Sequence, residues 1–290
     1  MGLPGAARGA AQQTAAAMHQ AAHQSRPWVE RLARMGYAAK GVVYVLIGGL
    51  ALQAALGPGG KTTDPQGALR TILQQPFGAF LLGVVALGLA GYSLWRFAQA
   101  FLDAENKGRD AKGIVKRAGY GLSGVAYSAL AVTAVGLIRG TRDSRANSGA
   151  STQDWTARFL DQPFGPWLVG LAGAVVLAIA ANALYVAWTA AFLKKLNLAA
   201  MRPKEQTAAT WMGRAGMGAR GVVLGIIGGF LLYAALRSDP NEARGLAGAF
   251  KILAQQPFGL WLLGIVAVGF IAYGVYLFFE ARYRRVALPA

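Results

Sequence analysis

The chain has 290 residues, of which 55% are hydrophobic and 14% are charged, and it contains no cysteine. A soluble domain carries about 25% charged residues, so this composition indicates a protein that lies in a lipid bilayer. The absence of cysteine excludes disulfides and thiolate metal sites. The formal net charge of +17 is carried by basic residues in short segments between apolar runs, which is typical of membrane proteins. We therefore expect no nucleic-acid partner.

The first segment, residues 1–29, is rich in Ala, Gln and Gly. It lacks the continuous apolar core of a signal peptide, so we predict a disordered cytosolic tail. His19 and His23 are four residues apart and would share a face if this segment were helical. No third ligand is near them, so a solvated tail is the favoured interpretation over a metal site.

A motif that begins Arg-x-Gly occurs three times, at Arg34, Arg117 and Arg214, and opens a long apolar run each time. Later in each copy, the sequence Gln-Pro-Phe-Gly opens a second apolar run, at residues 75–78, 162–165 and 256–259. A recurrence of this kind predicts a repeat architecture of three two-helix units. We place the units at 30–105, 113–196 and 210–283, followed by a cytosolic tail at 284–290.

The apolar runs are long enough to cross a bilayer, which needs about 20 residues. They are Tyr37–Leu56, Phe77–Leu102, Tyr120–Ile138, Phe164–Leu193, Met217–Leu236 and Phe258–Phe279. The fold class is therefore an all-α integral membrane protein with six transmembrane helices. Of the 29 Lys and Arg residues, most lie at the ends of the chain and between units, which predicts that both termini are cytoplasmic in a cell membrane, inner or plasma. The units run in the same direction, which predicts pseudo-threefold symmetry about the membrane normal.

The connection inside each unit has an amphipathic stretch, which predicts a short helix lying flat on the outer surface. Asp64-Pro65 and Asp239-Pro240 read as helix caps followed by a first-turn proline, and Ser151 starts a sequence like a capping box. The proline of each Gln-Pro-Phe-Gly is expected in the first turn of the following span.

Small residues recur at fixed offsets from each motif arginine, on one helical face, and predict a helix-packing seam. The seam residues are Gly41, Gly48, Gly124, Gly218, Gly221, Gly225 and Gly228. If this face points inward, Arg34, Arg117 and Arg214 converge at the cytoplasmic mouth. Each would then need a carboxylate, a lipid phosphate or the carbonyls of a helix end. The alternative is that these arginines are ordinary topological anchors.

Few polar groups lie within the spans. Arg96 and Glu280 are near helix ends and are interpreted first as anchors that reach the interface. Asn182 lies deeper, and an interhelical hydrogen bond is favoured over a substrate contact. The spans contain no carboxylate pair, phosphate loop, metal-binding spacing or Ser–His pair. We therefore predict no catalytic, cofactor or metal site and expect a protein that is not an enzyme.

Together the two repeated motifs resemble the bacterial membrane family named domain of unknown function 1206, whose repeat is a two-helix hairpin. The resemblance covers about residues 30–283, with Met217 in place of Tyr and Asp161 in place of Gln as departures. This family carries no assigned activity. We expect a non-catalytic membrane protein that acts by packing, by binding lipid or by scaffolding, with anionic headgroups on the cytosolic side as partners. The alternative is a small channel or transporter with a path along the threefold axis.

Overall fold

The structure, a computed structural model, describes residues 30–31, 33–57, 63–103, 108, 110–141 and 150–284. The predicted tail at 1–29, with His19 and His23, and residues 285–290 lie outside the described residues. Within the described ranges the chain is helical, with one isolated backbone bridge between Leu196 and Arg284. The α-helices are α1 (Ala33–Leu56), α2 (Pro65–Leu73), α3 (Gly78–Phe101), α4 (Ala111–Ile138), α5 (Ala150–Leu160), α6 (Gly165–Thr189), α7 (Pro203–Arg237), α8 (Leu246–Gln255) and α9 (Gly259–Tyr283).

Six of these helices, α1, α3, α4, α6, α7 and α9, are long and apolar enough to cross a membrane, which confirms the predicted spans. α4 begins at Ala111 and α7 begins at Pro203, in both cases well before the apolar run. Asp110 caps α4 by accepting a hydrogen bond from the backbone of Gly113 at 3.1 Å. Hydropathy identifies the residues that suit lipid, whereas the cap determines where the helix begins. The start of the apolar run and the start of the helix therefore differ.

The short helices α2, α5 and α8 occupy the connection inside each unit. Asp64 caps α2 as predicted and accepts a hydrogen bond from the backbone of Gly67 at 2.8 Å. Asp239 also caps a helical turn that has Pro240 in its first position, but this turn is the 3₁₀ helix Pro240–Glu242, and α8 begins only at Leu246. A turn of 3₁₀ helix is therefore inserted in the third connection.

Each Gln-Pro-Phe-Gly motif forms a sharp turn, and the following span begins at its glycine rather than at its proline. The phenylalanine before that glycine adopts a left-handed conformation, with φ of 59° at Phe77, 63° at Phe164 and 58° at Phe258. A Cβ at Gly78 would lie 2.1 Å from the carbonyl oxygen of Leu73. Glycine is therefore required for the span to start this close to the preceding short helix.

The spanning helices pack in the spatial order α4, α3, α1, α9, α7 and α6. The first helix of each unit packs against the second helix of the preceding unit: α1 against α9, α4 against α3, and α7 against α6. In the first and third units the two spans also pack against each other. α4 and α6, which form the second unit, make no extended contact with each other. The row of helices is therefore open between α4 and α6, and the threefold symmetry and membrane orientation stay predictions.

Small residues line the contacts between these neighbouring units, not the centre of the bundle. A Cβ at Gly41 would lie 2.9 Å from the carbonyl oxygen of Gly274 in α9. A Cβ at Gly221 would lie 2.8 Å from the side chain of Leu184 in α6. Comparable close approaches to the preceding unit occur at Gly48, Gly124 and Gly228. Small side chains here allow the close backbone approach that stabilises helix pairs in lipid.

Two residues of the predicted seam depart from this pattern. A Cβ at Gly218 would make a single ordinary contact, at 4.0 Å from the Cβ of Ala187. A Cβ at Gly225 would have nothing within 4 Å, so the prediction is wrong there. α7 and α6 therefore touch above and below Gly225 while leaving a gap at that turn.

Two buried clusters divide the interior along the bundle. The first is apolar and lies at the end that carries α2 and α8; it includes Ile47, Leu69, Leu82 and Phe250. The second lies toward the opposite end and is rich in aromatic residues: Tyr37, Tyr92, Trp95, Tyr273, Tyr276 and Phe192 are members. The candidate functional site lies where these two clusters meet.

Candidate functional site

A lysine lies buried in the interior where α1, α3, α4 and α9 approach one another. Lys40 is 4% exposed, and its Nζ donates hydrogen bonds to the hydroxyl groups of Tyr92 at 3.3 Å and Tyr273 at 3.4 Å. Its Nζ also lies 5.1–5.8 Å from the ring centroids of Tyr44, Tyr92, Tyr127 and Tyr273. Four aromatic rings from four helices therefore surround one ammonium group, and each contributes a cation–π attraction.

A second cation, Arg220 of α7, shares one of these rings. Its Cζ lies 5.6 Å from the ring centroid of Tyr273. Arg220 is partly exposed and donates no hydrogen bond to the part of the chain that the structure describes. Within the same residues, neither Arg220 nor Lys40 forms an ion pair with a carboxylate. We call Lys40, Arg220 and the tyrosines 44, 92, 127 and 273 the Lys40–Arg220 site.

Arg96 adds a third positive charge beside this site. Its Nε donates to the hydroxyl of Tyr92 at 2.9 Å, and its Nη1 donates to Gln99 at 3.0 Å. Its Cζ lies 4.9 Å from the ring of Tyr92 and 5.3 Å from the ring of Tyr120 in α4. The guanidinium thus folds back into the bundle, and the expectation of an extended anchor is wrong for Arg96.

The groups that line the Lys40–Arg220 site are cations and hydrogen-bond donors. The oxygen of Tyr92 accepts from both Lys40 and Arg96, which leaves its own O–H proton free to donate. An arginine stays protonated in proteins, so Arg220 cannot avoid its charge by losing a proton. Donors and positive charge without a carboxylate form a set that is complementary to an anion.

The side of the site that faces α2 and α8 is closed by apolar and aromatic packing. The ring of Tyr44 lies 5.7 Å from the ring of Phe270, which lies 5.2 Å from the ring of Phe250 in α8. Phe250 and Phe270 are almost fully buried. The polar groups of the Lys40–Arg220 site therefore do not continue into this half of the bundle.

Arg34 binds a helix end. Its Nη1 donates to the carbonyl oxygens of Ala281, at 3.0 Å, and Arg282 in the last turn of α9. Its Nε and Nη2 donate to the carboxylate of Glu30 at 3.0 and 2.6 Å. Two of the three kinds of acceptor considered from the sequence, a carboxylate and helix-terminal carbonyls, thus occur together at this arginine.

Arg117 makes the equivalent contact one unit further on. Its Nε donates to the carbonyl oxygen of Ala100 at 2.7 Å, and its Nη2 donates to that of Phe101 at 3.1 Å. These carbonyls at the end of α3 have no partner within the helix. Arg214 is exposed and makes no such contact within the described residues, where Phe192, just beyond the end of α6, packs against Gly213 beside it. The condition for the three arginines to converge, a seam that points inward, is not met, because the seam faces neighbouring helices.

Asn182 occupies the register of two buried aromatic residues in the other units, Trp95 and Tyr276, yet it is exposed. It forms no hydrogen bond within the described residues, so the expected interhelical bond is wrong. The reason lies in the packing, because α4 does not cover the face of α6 that carries Asn182.

Glu280 and Arg284 form a buried pair at the end of α9. The Nη1 of Arg284 donates to the carboxylate of Glu280. The side chain of Arg284 is 4% exposed and that of Glu280 is 8% exposed. The guanidinium also lies 4.9 Å from the ring of Tyr37 in α1. Glu280 therefore contributes to the contact between α9 and α1 through Arg284. Arg284 lies in the packed third unit and not in the tail predicted at 284–290.

Lys40 and Arg220 were not among the candidate residues predicted from the sequence. They do share one signal, because each lies six residues after its motif arginine, Arg34 or Arg214. Tyr92 and Tyr273 also share a register, each lying fourteen residues after the glycine of its Gln-Pro-Phe-Gly motif. A register comparison of polar and aromatic residues across the repeats would have found the site.

No group of three or more His, Asp or Glu side chains suited to a metal occurs in the described part of the chain.

The sequence profile described as Domain of Unknown Function (DUF1206) matches three times, at residues 35–103, 118–190 and 215–284. The "Uncharacterized protein YxxB" of Bacillus subtilis (strain 168) is 36% identical over 269 residues, which cover 93% of this chain and 96% of that protein. No solved structure matches the chain. The chain belongs to the DUF1206 family, and its three repeats carry six apolar helices that fit a multi-pass membrane protein.

Proposed function

We propose that this protein is a non-catalytic membrane protein that binds an anionic group at the Lys40–Arg220 site. The observation that carries this proposal is the pairing of two cations, Lys40 and Arg220, that lack a carboxylate partner among the described residues. Charge within a bilayer-spanning bundle is costly and marks functional sites by default. A bound anion would remove that cost by neutralising the charges.

The tyrosines support the same proposal because they hold the cations without neutralising them. Four phenol rings provide cation–π attraction to Lys40, and the hydroxyl oxygens of Tyr92 and Tyr273 accept hydrogen bonds from it. A phenol carries no formal charge near neutral pH. The site therefore keeps a net positive charge, and its remaining donors are available to a ligand.

Binding is favoured over conduction by the apolar half of the bundle. Beyond Tyr44, the rings of Phe270 and Phe250 succeed one another toward α8. An ion path needs polar groups or water along its length. A site that is polar on one side and closed by packed rings on the other suits a ligand that enters and leaves by the same route.

The location and partners follow from the same reasoning. We propose a cell membrane, inner or plasma, with both termini cytoplasmic, because the basic residues concentrate on that side. The bilayer is then the main partner, with anionic headgroups near the basic residues Arg34 and Arg282, which line a cavity of about 430 Å³. Nucleic acid is not a proposed partner.

Thermal unfolding in detergent micelles tests the binding proposal. Inorganic phosphate and, separately, dihexanoyl phosphatidic acid are added at ionic strength held constant with sodium chloride. A ligand at ten times its Kd stabilises the folded state by about 1.4 kcal/mol. We expect at least one of the two probes to raise the unfolding midpoint, and Arg220→Gln to remove the response.

The matched control is Arg237→Gln in the same helix. Arg237 stacks on Tyr233 at 5.5 Å, much as Arg220 stacks on Tyr273 at 5.6 Å, but it lies at the far end of α7. Lys40→Met is a second variant, which removes the buried charge and should abolish the response even if the protein becomes more stable without ligand. An undiminished response in Arg220→Gln, or no response to either probe in the natural protein, would overturn the proposal.

A further inference from the structure

The two spans of the second unit are separated where those of the other units are in close contact. In the first unit a Cβ at Gly36 would lie 2.5 Å from the Cβ of Tyr92, and in the third a Cβ at Gly216 would lie 2.4 Å from the Cα of Tyr273. The equivalent residue of the second unit is Gly119, where a Cβ would meet nothing within 4 Å. The hairpin formed by α4 and α6 is therefore open at the level of the Lys40–Arg220 site.

The faces exposed by this opening can be identified by register. Some registers of the second span are buried in both α3 and α9 but exposed in α6. The α6 residues at these registers are Ala172, Val175, Ile179 and Asn182. On α4, the exposed positions include Gly119, Leu122 and Ala126, and Leu122 is 65% exposed. We call these two surfaces the α4–α6 cleft. Its walls are apolar except at Asn182.

The cleft adjoins the Lys40–Arg220 site through neighbouring residues. Ala126 is on the wall of the cleft, and the next residue, Tyr127, has its ring 5.3 Å from Lys40 Nζ. On α6, Ile179 stands in the register of Tyr92 and Tyr273, the two tyrosines that bond Lys40. Arg220, six residues beyond Arg214, lies about 9 Å deeper along its helix. An apolar cleft in the plane of the spans thus borders a buried cationic site.

We propose that the α4–α6 cleft admits an anionic phospholipid from the side, with its acyl chains on the cleft walls and its phosphate at Lys40 and Arg220. This inference rests on the proposed function and specifies its ligand. A phosphate diester matches the N–H donors of a guanidinium, which binds such groups by parallel hydrogen bonds. The acyl chains match Leu122, Val175 and Ile179, which would otherwise be exposed on both sides of an opening in the bundle.

The shape of the opening distinguishes a lipid from a free ion. A small hydrated anion that reached Arg220 through the cleft would have to leave water and pass between apolar walls, which is unfavourable. A lipid brings its own apolar surface and already lies in the membrane. The phosphate chemistry is common to both ligands, so the experiment must separate a lipid from inorganic phosphate.

Native mass spectrometry of the full chain released from nanodiscs provides this test. The nanodiscs contain equal parts phosphatidylglycerol and phosphatidylcholine. We expect one phosphatidylglycerol to remain bound to each chain, and Arg220→Gln to lower its retention by about tenfold or more, the effect of losing hydrogen bonds to a charged group. Ala172→Trp, which fills the cleft away from the cations, should lower retention as well.

The matched control for the cleft is Ala174→Trp, because Ala174 is also an exposed alanine of α6 but lies two residues away, on the outward side of the helix. Leu122→Trp on the opposite wall serves as a second cleft variant if Ala172→Trp does not fold. Equal retention in the cleft variants and in Ala174→Trp would overturn the inference. The same spectra report the number of chains in each complex. If the natural chain is a dimer and a cleft variant is a monomer with unchanged lipid retention, a second copy is the occupant and the inference is overturned.

The two proposals fail in different ways. If inorganic phosphate stabilises the protein through Arg220 but no phospholipid is retained, the lipid inference is wrong and anion binding stands. If neither phosphate probe stabilises the protein in micelles, anion binding is wrong, and any retained phospholipid that survives Arg220→Gln is bound elsewhere.

Discussion

Gly36 in α1 lies directly against the backbone of Tyr92 in α3, so close that a Cβ at position 36 would be 2.6 Å from the Cα of Tyr92. This contact fixes the two spans of the first unit side by side and directs the tyrosine hydroxyl to Lys40, 3.3 Å away. Gly216 and Tyr273 repeat the arrangement in the third unit, with the hydroxyl 3.4 Å from the same lysine. Two close-packed hairpins therefore position the acceptors of the buried ammonium group.

The first prediction concerns these glycines. Gly36→Ala should destabilise the protein by about 1–3 kcal/mol, because the new methyl group would meet backbone atoms that cannot move aside. Gly119→Ala in the second unit should be neutral or stabilising by up to about 1 kcal/mol, because alanine is the better helix former and the site is open. Thermal unfolding of both variants in one detergent measures the difference. Equal destabilisation would show that the second hairpin is closed in the membrane.

Hydropathy and repetition were sufficient to predict the six spans, the short helices between them and the family. Those are local properties of the chain, because a run of apolar residues has the same meaning wherever it lies in the bundle. The environment of Lys40 is not local. It depends on rings brought by α3, α4 and α9, and no pattern within α1 indicates which helices pack around it.

The repeats also imply a helix contact that the structure lacks. They imply that α4 and α6 pack as the other hairpins do, and Gly119 is the small residue that this contact needs. Ile179 and Asn182, however, replace the aromatic residues that fill the same contact in the other units. Without those rings the second hairpin has less surface to bury, and the structure leaves it open. A difference in packing of this kind is invisible to a motif shared by all three copies.

The second prediction is the orientation in the membrane. Because the chain contains no cysteine, single cysteines can be introduced without background labelling. Thr141→Cys and Asn241→Cys lie in connections inside units, and Ala200→Cys lies between units; all three residues are exposed. A membrane-impermeant maleimide added to intact cells should label positions 141 and 241 but not 200. The reverse pattern would mean that the basic side faces outward, against the charge distribution.

The third prediction concerns the buried pair at the end of α9. Glu280→Gln should destabilise the protein by about 3–5 kcal/mol, because it leaves the guanidinium of Arg284 buried without its carboxylate. Glu30→Gln is the matched control, since the Glu30–Arg34 pair has the same spacing but its side chains are 41% and 36% exposed. That change should cost no more than about 1 kcal/mol. Unfolding midpoints of the two variants in the same micelles decide the matter, and similar losses would contradict the assignment of Glu280 and Arg284 to the core.

The fourth prediction concerns the helix-end contact of Arg117. Arg117→Lys keeps the positive charge but loses the two N–H groups that reach Ala100 and Phe101 together. We expect a loss of about 1 kcal/mol of stability, the net contribution of a typical intramolecular hydrogen bond, because the site is partly exposed. Membrane orientation should be unchanged, because orientation depends on the charge and not on the fork geometry.

Arg214→Lys is the control for this prediction, because Arg214 occupies the same motif position but is exposed and makes no contact with a helix end in the described residues. Its substitution should leave the unfolding midpoint unchanged. If Arg117→Lys and Arg214→Lys both leave the midpoint where it is, the motif arginines act through charge alone. If both substitutions lower the midpoint equally, Arg214 has a partner in the membrane. Anionic headgroups on the basic side are then the first candidate, and a comparison of nanodiscs with and without phosphatidylglycerol tests it.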